Sequence, residues 1–255
     1  MASAGAARAA RIVWHESADE HAWAAGAVSA IAQALRLALD VPTPVRLLLS
    51  GGTTPAPAYR ALSMQALDWS RVVVGLVDER DVEPDADGSN ARLIRESLLQ
   101  GAASVAAFEP LRASHQSIEE AVRQANLRWH EFETRSRGDA EGGERAKSIV
   151  VLGMGDDGHT ASLFPGALNL PRALSSTEPY AAIDATGCKV AGAYSQRISL
   201  TPSGLAQAHL RLLLIRGAGK RAVFERALGD GEVGEMPIRA AIDLPGEPLH
   251  VHWCP

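Results

Sequence analysis

The sequence predicts an α/β fold: a mostly parallel, doubly wound (Rossmann-like) sheet with helices on both faces. Three observations predict it. The runs VRLLL (45–49), RVVVGLV (71–77) and SIVVL (148–152) are almost wholly apolar, as strands covered on both faces require. Segments with apolar residues at helical spacing separate such runs, and alternation of this kind implies a parallel sheet. Each run is followed by glycines or clustered charge, where open α/β sheets place their ligands.

The elements follow in order. Residues 11–14 read as a short strand, and 17–39, rich in alanine and leucine, as a helix. After the strand 45–49, residues 55–67 read as a helix with proline in its first turn. The strand 71–77 leads to a helix over 89–99 with Ser89 as N-cap. Residues 117–135 form a long amphipathic helix. The segment 138–146 (GDAEGGERA) is polar and glycine-rich, hence a surface loop. The same alternation resumes after it, so 11–255 reads as one domain. Beyond the strand 148–152 come strands at 197–200 and 210–215 and a helix at 218–228. Residues 249–253 alternate and suggest a last, edge strand. Residues 1–10, rich in alanine with Arg8 among them and Arg11 just beyond, read as a disordered tail.

Composition narrows the function. With 255 residues and 46% hydrophobic content a sizeable core can form. Twenty-five basic side chains face 30 acidic ones, a net charge of −5, which argues against nucleic acid or a membrane as partner. No apolar run approaches the ~20 residues that span a bilayer. Cys188 and Cys254 sit in no CxxC pattern and read as reduced thiols of a cytoplasmic protein. The expected partner is a small anionic molecule, bound by a monomer or weak homo-oligomer.

Three loops could carry chemistry. Ser50-Gly51-Gly52-Thr53-Thr54-Pro55 links a buried strand to a helix start. Glycines admit an anion to backbone N–H groups, and hydroxyls add donors, so this is a phosphate cradle or a tight turn. It lacks the lysine of a P-loop and the GxGxxG fingerprint. Asp78-Glu79-Arg80-Asp81 puts four charges directly after an apolar strand: an acid–base and anion-binding cluster, or a solvated turn. In Gly153–Ser162 (GMGDDGHTAS), His159 follows two carboxylates, which suits a general base oriented by a neighbour. Arg197 and Lys220 lie beside strand ends and could reach a phosphate. His250, His252 and Cys254 share one strand face, a spacing that could hold zinc, but no fourth ligand is evident and no metal is expected.

Together the segments SGGTTPAPAYRAL, VDERDVEPDADGSNARLI, VLGMGDDGHTASLFPG, RISLTP and IRGAGKRAVFERAL resemble the 6-phosphogluconolactonase family, in family order from about Leu47 to Leu228. The wider superfamily includes glucosamine-6-phosphate deaminases; Asp78-Glu79-Arg80 and the run 160–166 (TASLFPG) look like the lactonase form. The resemblance implies hydrolysis of 6-phospho-D-glucono-1,5-lactone to 6-phosphogluconate in the oxidative pentose phosphate pathway, without metal or organic cofactor. It implies His159 as the base that activates water, Asp157 as its orienting carboxylate and Arg80 as stabiliser of developing charge. Gly51, Gly52, Thr53, Thr54, Asp78, Arg197 and Lys220 would hold the substrate and its phosphate. Two alternatives remain: an amino-sugar-phosphate isomerase or deaminase with Asp78 moving the proton, and a non-catalytic sugar-phosphate sensor, for which no DNA-binding segment is found.

Overall fold

A strand with no polar face can lie only where both faces are covered, and the continuous apolar runs accordingly form the middle of the sheet. The computed structural model describes residues 4–137 and 147–255. In chain order the elements begin with α1 (Ala4–Ala9), β1 (Ile12–Glu16), α2 (Glu20–Leu39), β2 (Val45–Leu49), α3 (Ala56–Leu62), β3 (Val72–Leu76), β4 (Asp78–Arg80) and α4 (Asn90–Ser97). They continue with β5 (Ala107–Glu109), α5 (Ile118–Arg137), β6 (Ser148–Leu152), α6 (Leu170–Leu174), β7 (Tyr180–Asp184) and β8 (Gln196–Leu200). The last are α7 (Pro202–Leu205), β9 (Leu210–Arg216), α8 (Gly217–Leu228), α9 (Arg239–Ile242) and β10 (Leu249–Cys254).

Seven strands form one parallel sheet in the order β1-β10-β9-β6-β2-β3-β5. β2 and β6, side by side at its centre, are buried at every position. The chain runs outward from β2 through β3 to β5, then returns to β6 on the other side and runs outward again. The order therefore reverses between β2 and β6, and a crevice opens there beyond their carboxyl ends. A second, antiparallel sheet, β4-β8-β7, stands beside that crevice. Its own small core includes Leu163, Phe164, Leu170 and Ile183.

Several expectations need correction. β10 is an interior strand, paired with β1 on one side and β9 on the other. Its polar residues suggested an edge, but His252 is buried against His15 of β1, with ring centroids 4.4 Å apart. Residues 4–9 of the expected tail are helical. Arg8 ties them down through Asp243, at 2.8 and 2.9 Å, and the Gly229 carbonyl at 2.6 Å. Residues 1–3 and the expected loop 138–146 lie outside the described residues. Finally, α2 is long and apolar enough to cross a membrane by length and composition. It instead turns Trp23, Ala27, Ile31 and Leu35 into the core, and the Trp23 indole N–H donates to the His252 carbonyl at 3.0 Å.

Candidate active site

The loop after β2 and the loop after β6 face each other across the reversal point, and together with β4, β8 and the start of α8 they line a cleft of about 260 Å³. Gly51, Gly52, Thr54, Asp78, Arg80, His159, Arg197 and Lys220 all line it. Thr53 turns instead into the adjoining groove, beside Arg60 and Arg92. Asp157 stands behind His159. The helix after the glycine loop is only Ala56–Leu62, shorter than the expected 55–67. The longer helix at the cleft is α8, which begins at Gly217 (φ +86°).

His159 is held from three sides. Its ring Nδ1 donates to Asp157 Oδ1 at 2.6 Å, and its backbone N–H donates to the same oxygen at 3.1 Å. Phe164 packs on the ring with centroids 4.4 Å apart. Gly155 lies so close that a Cβ there would sit 2.1 Å from the imidazole. Half-burial works against ionisation of Asp157, but the hydrogen bond and charge of His159 and backbone N–H groups outweigh it. The carboxyl is held below its ordinary value. An ionised acceptor on Nδ1 leaves Nε2 as the nitrogen able to take a proton. Ala161, two residues on, lines the cleft in a left-handed conformation (φ +50°), which is strained for a residue with a Cβ.

The opposite wall is charged and buried. Asp78 Oδ2 accepts from Ser162 Oγ at 2.6 Å, and Oδ1 accepts from Asn90 Nδ2 at 3.4 Å. The same Asn90 amide donates to the Asp78 carbonyl at 2.8 Å. Glu79 faces away from the cleft and caps α4. It accepts from the backbone N–H groups of Arg80, Asn90 and Ala91, each at 2.8 Å, and from Ser89 Oγ at 3.1 Å. Burial raises its carboxyl above the ordinary value, and those N–H groups oppose the rise.

Arg80 and Arg197 sit directly opposite each other on β4 and β8. Arg197 Nε donates to the Tyr194 carbonyl at 2.5 Å and Nη2 to the Ala191 carbonyl at 2.9 Å. Burial lowers Arg197 from its ordinary value; Asp78 opposes this and Arg80 adds to it. Like charges directly opposite on neighbouring strands are unfavourable, and an anion between them would relieve that. Lys220 pairs with Asp156 at 2.9 Å at the mouth.

Three residues of the site escape a reading of the sequence. Asn90 directly follows the N-cap Ser89, and its buried amide fills the space that a Cβ on Gly51 would need, 1.8 Å from Oδ1. Ser162 belongs to the histidine loop. Arg216 ends β9, lines the cleft, pairs with Glu20 and lies 5.4 Å from the Trp23 ring. Arg216 could have been noticed as a charge ending a buried seven-residue strand.

The His250/His252 motif forms a different arrangement from the zinc site considered above. His15 Nε2 and His250 Nδ1 are hydrogen-bonded at 3.0 Å, and the rings of His15 and His252 stack within 10° of parallel. Stacked rings point their lone pairs along parallel planes, so they cannot converge on one ion. Among the described residues no group of His, Cys, Asp or Glu is arranged to hold a metal.

Comparison with known proteins identifies the family. The family model of glucosamine-6-phosphate isomerases/6-phosphogluconolactonase matches residues 18–253. A 6-phosphogluconolactonase of Xylella fastidiosa is 49% identical over 208 residues, 82% of each chain. One of Pseudomonas putida is 36% identical over 94% of this chain and 92% of its own. The crystal structure of a 6-phosphogluconolactonase from Shewanella baltica OS155 superposes with a TM-score of 0.79 at 34% identity, covering 96% of this chain and 98% of that one.

Proposed function

The chain belongs to the family of glucosamine-6-phosphate isomerases and 6-phosphogluconolactonases, and from that premise we propose how its cleft performs the lactonase reaction. The activity is hydrolysis of 6-phospho-D-glucono-1,5-lactone to 6-phospho-D-gluconate. His159 Nε2 takes a proton from water as the water attacks the lactone carbonyl. Asp157 holds the imidazole in the required tautomer and stabilises the imidazolium that forms. Arg80 stabilises the tetrahedral oxyanion, and the protonated His159 then returns its proton to the leaving ring oxygen. Arg197 and Lys220, with Gly51, Gly52 and Thr54, hold the phosphate, whose binding energy positions the lactone.

The observation that carries this reading is the 2.6 Å Asp157–His159 contact at the floor of a cleft rimmed by cations. Asp78 is less suited to the proton transfer of an isomerase, since both its oxygens accept hydrogen bonds from fixed neutral donors. The test is hydrolysis of freshly generated lactone, with product coupled to 6-phosphogluconate dehydrogenase and compared with spontaneous opening. Acceleration that disappears in His159→Ala supports the mechanism. Acceleration that survives removes His159 from it, and ammonia release from glucosamine 6-phosphate would move the chain to the isomerase branch.

A further inference from the structure

Arg80 has an unusual set of partners. One terminal nitrogen, Nη1, donates to the Gly88 carbonyl. Its guanidinium lies 5.8 Å from the centroid of the Tyr194 ring. Its Nε–H is buried and has no hydrogen-bond partner in the protein. A buried donor without a partner is held there at a cost, so the surrounding contacts must fix the side chain's position. Arg80 lines the cleft, so its guanidinium edge is placed to meet a substrate oxygen there.

Tyr194 is what fixes this orientation. Its ring lies against Gly88, where a Cβ would come within 2.8 Å of it, and Gly88 has φ +88°. Its hydroxyl donates to the Asp87 carbonyl at 3.1 Å, which locks the ring across the 87–88 turn that also receives Arg80. The Tyr194 carbonyl is in turn held by Arg197. Tyr194 itself does not line the cleft. We propose that Tyr194 is a positioning residue for the lactonase reaction: with the Gly88 carbonyl it clamps the Arg80 guanidinium in the orientation that meets the oxyanion. This rests on the role given to Arg80 above.

The clamp predicts a specific pattern. Tyr194→Leu keeps bulk but removes the ring face and the hydroxyl, so the guanidinium swings and kcat falls about tenfold with KM nearly constant. Tyr194→Phe keeps the ring face and recovers most of kcat. In an Arg80→Lys background, which has no planar guanidinium to clamp, Tyr194→Leu costs less than about twofold more, because coupled residues are not additive. Full activity in Tyr194→Leu overturns the proposal. So does an equal loss in both backgrounds, or a rise in KM with kcat intact, which would place the effect on Arg197 instead. If Tyr194→Leu does not fold, Tyr194→Gln serves the same cycle. Wild-type activity in Arg80→Lys alone would overturn the role of Arg80, a separate failure from that of the clamp.

Discussion

One wall of the cleft is made of absent side chains, the other of buried charges. On the first, Gly51 and Gly155 exist so that Asn90 and His159 can occupy the space their own Cβ atoms would take. That wall belongs to the large parallel sheet, whose strands set the loops at fixed separation. On the second, Asp78, Arg80 and Arg197 hang from short antiparallel strands and are held in place by carbonyls, hydroxyls and an amide. The difference is one of tolerance. The glycine wall is rigid and fails by steric intrusion, whereas the charged wall fails by losing an acceptor or a donor fork.

Breaking each wall should therefore give different kinetics. The largest effect is expected on the glycine wall: His159→Ala should lower kcat by about 10²–10⁴ while leaving affinity for the product phosphate nearly intact, measured by steady-state assay and calorimetry. Gly155→Ala drives a methyl into the imidazole and within 2.7 Å of Asp157 Oδ1. It should cost about 10- to 100-fold in kcat, again with little change in KM; an unaffected kcat would mean that the loop has slack the geometry does not show. On the charged wall, Arg197→Lys should raise KM about tenfold and fail to rescue Arg197→Ala, since a single ammonium cannot reproduce the fork that reaches both Ala191 and Tyr194. A kcat loss accompanying it would show that the 191–194 segment has been released.

The smallest effect on turnover should come from outside both walls. His252 is pushed down to about 4, by burial first and then by His15 and His250. In the unfolded chain it returns to about 6.5, so between those values the unfolded state binds the extra proton. Stability is full above about pH 6.5 and falls as the pH drops towards 4, by roughly 3 kcal/mol if the shift is fully expressed. His252→Leu should flatten Tm against pH across that window and leave kcat at neutral pH unchanged.

The two walls also differ in how they can be read from sequence. VRLLL and SIVVL are visible because burial on both faces leaves each with a single polar position, Arg46 and Ser148, and the loops after them stand out as glycine. The small sheet is nearly invisible: β4 is the charged triplet Asp-Glu-Arg, and β7 (YAAID) has no periodicity that selects a strand. Both are strands because they pair with β8, which for β4 is a contact made far along the chain. Arg80 could be picked out by its position after β3, but not its register opposite Arg197. Asn90 was hidden for a related reason. Its role depends on filling the gap beside a glycine 39 positions earlier, which spacing within either segment does not reveal. β10 reads as an edge because its residues alternate, whereas its two histidines both stack on His15 of β1.

That stacked pair of strands sets the order in which the molecule can be completed. β1 precedes the other described strands in the chain, yet its neighbour in the sheet is β10, and His15 meets His250 across 235 residues of chain. Until β10 has been made, β1 has no edge to join, and its half-apolar surface must wait. The central strands can assemble meanwhile, since β2 and β3 meet within a short stretch. Closing so long a loop costs little more free energy than closing a moderate one, but contacts this distant form late. Strands β2 and β3 can therefore pair as near neighbours in the chain, while the flank formed by β1 and β10 depends on the most distant contact in the sheet.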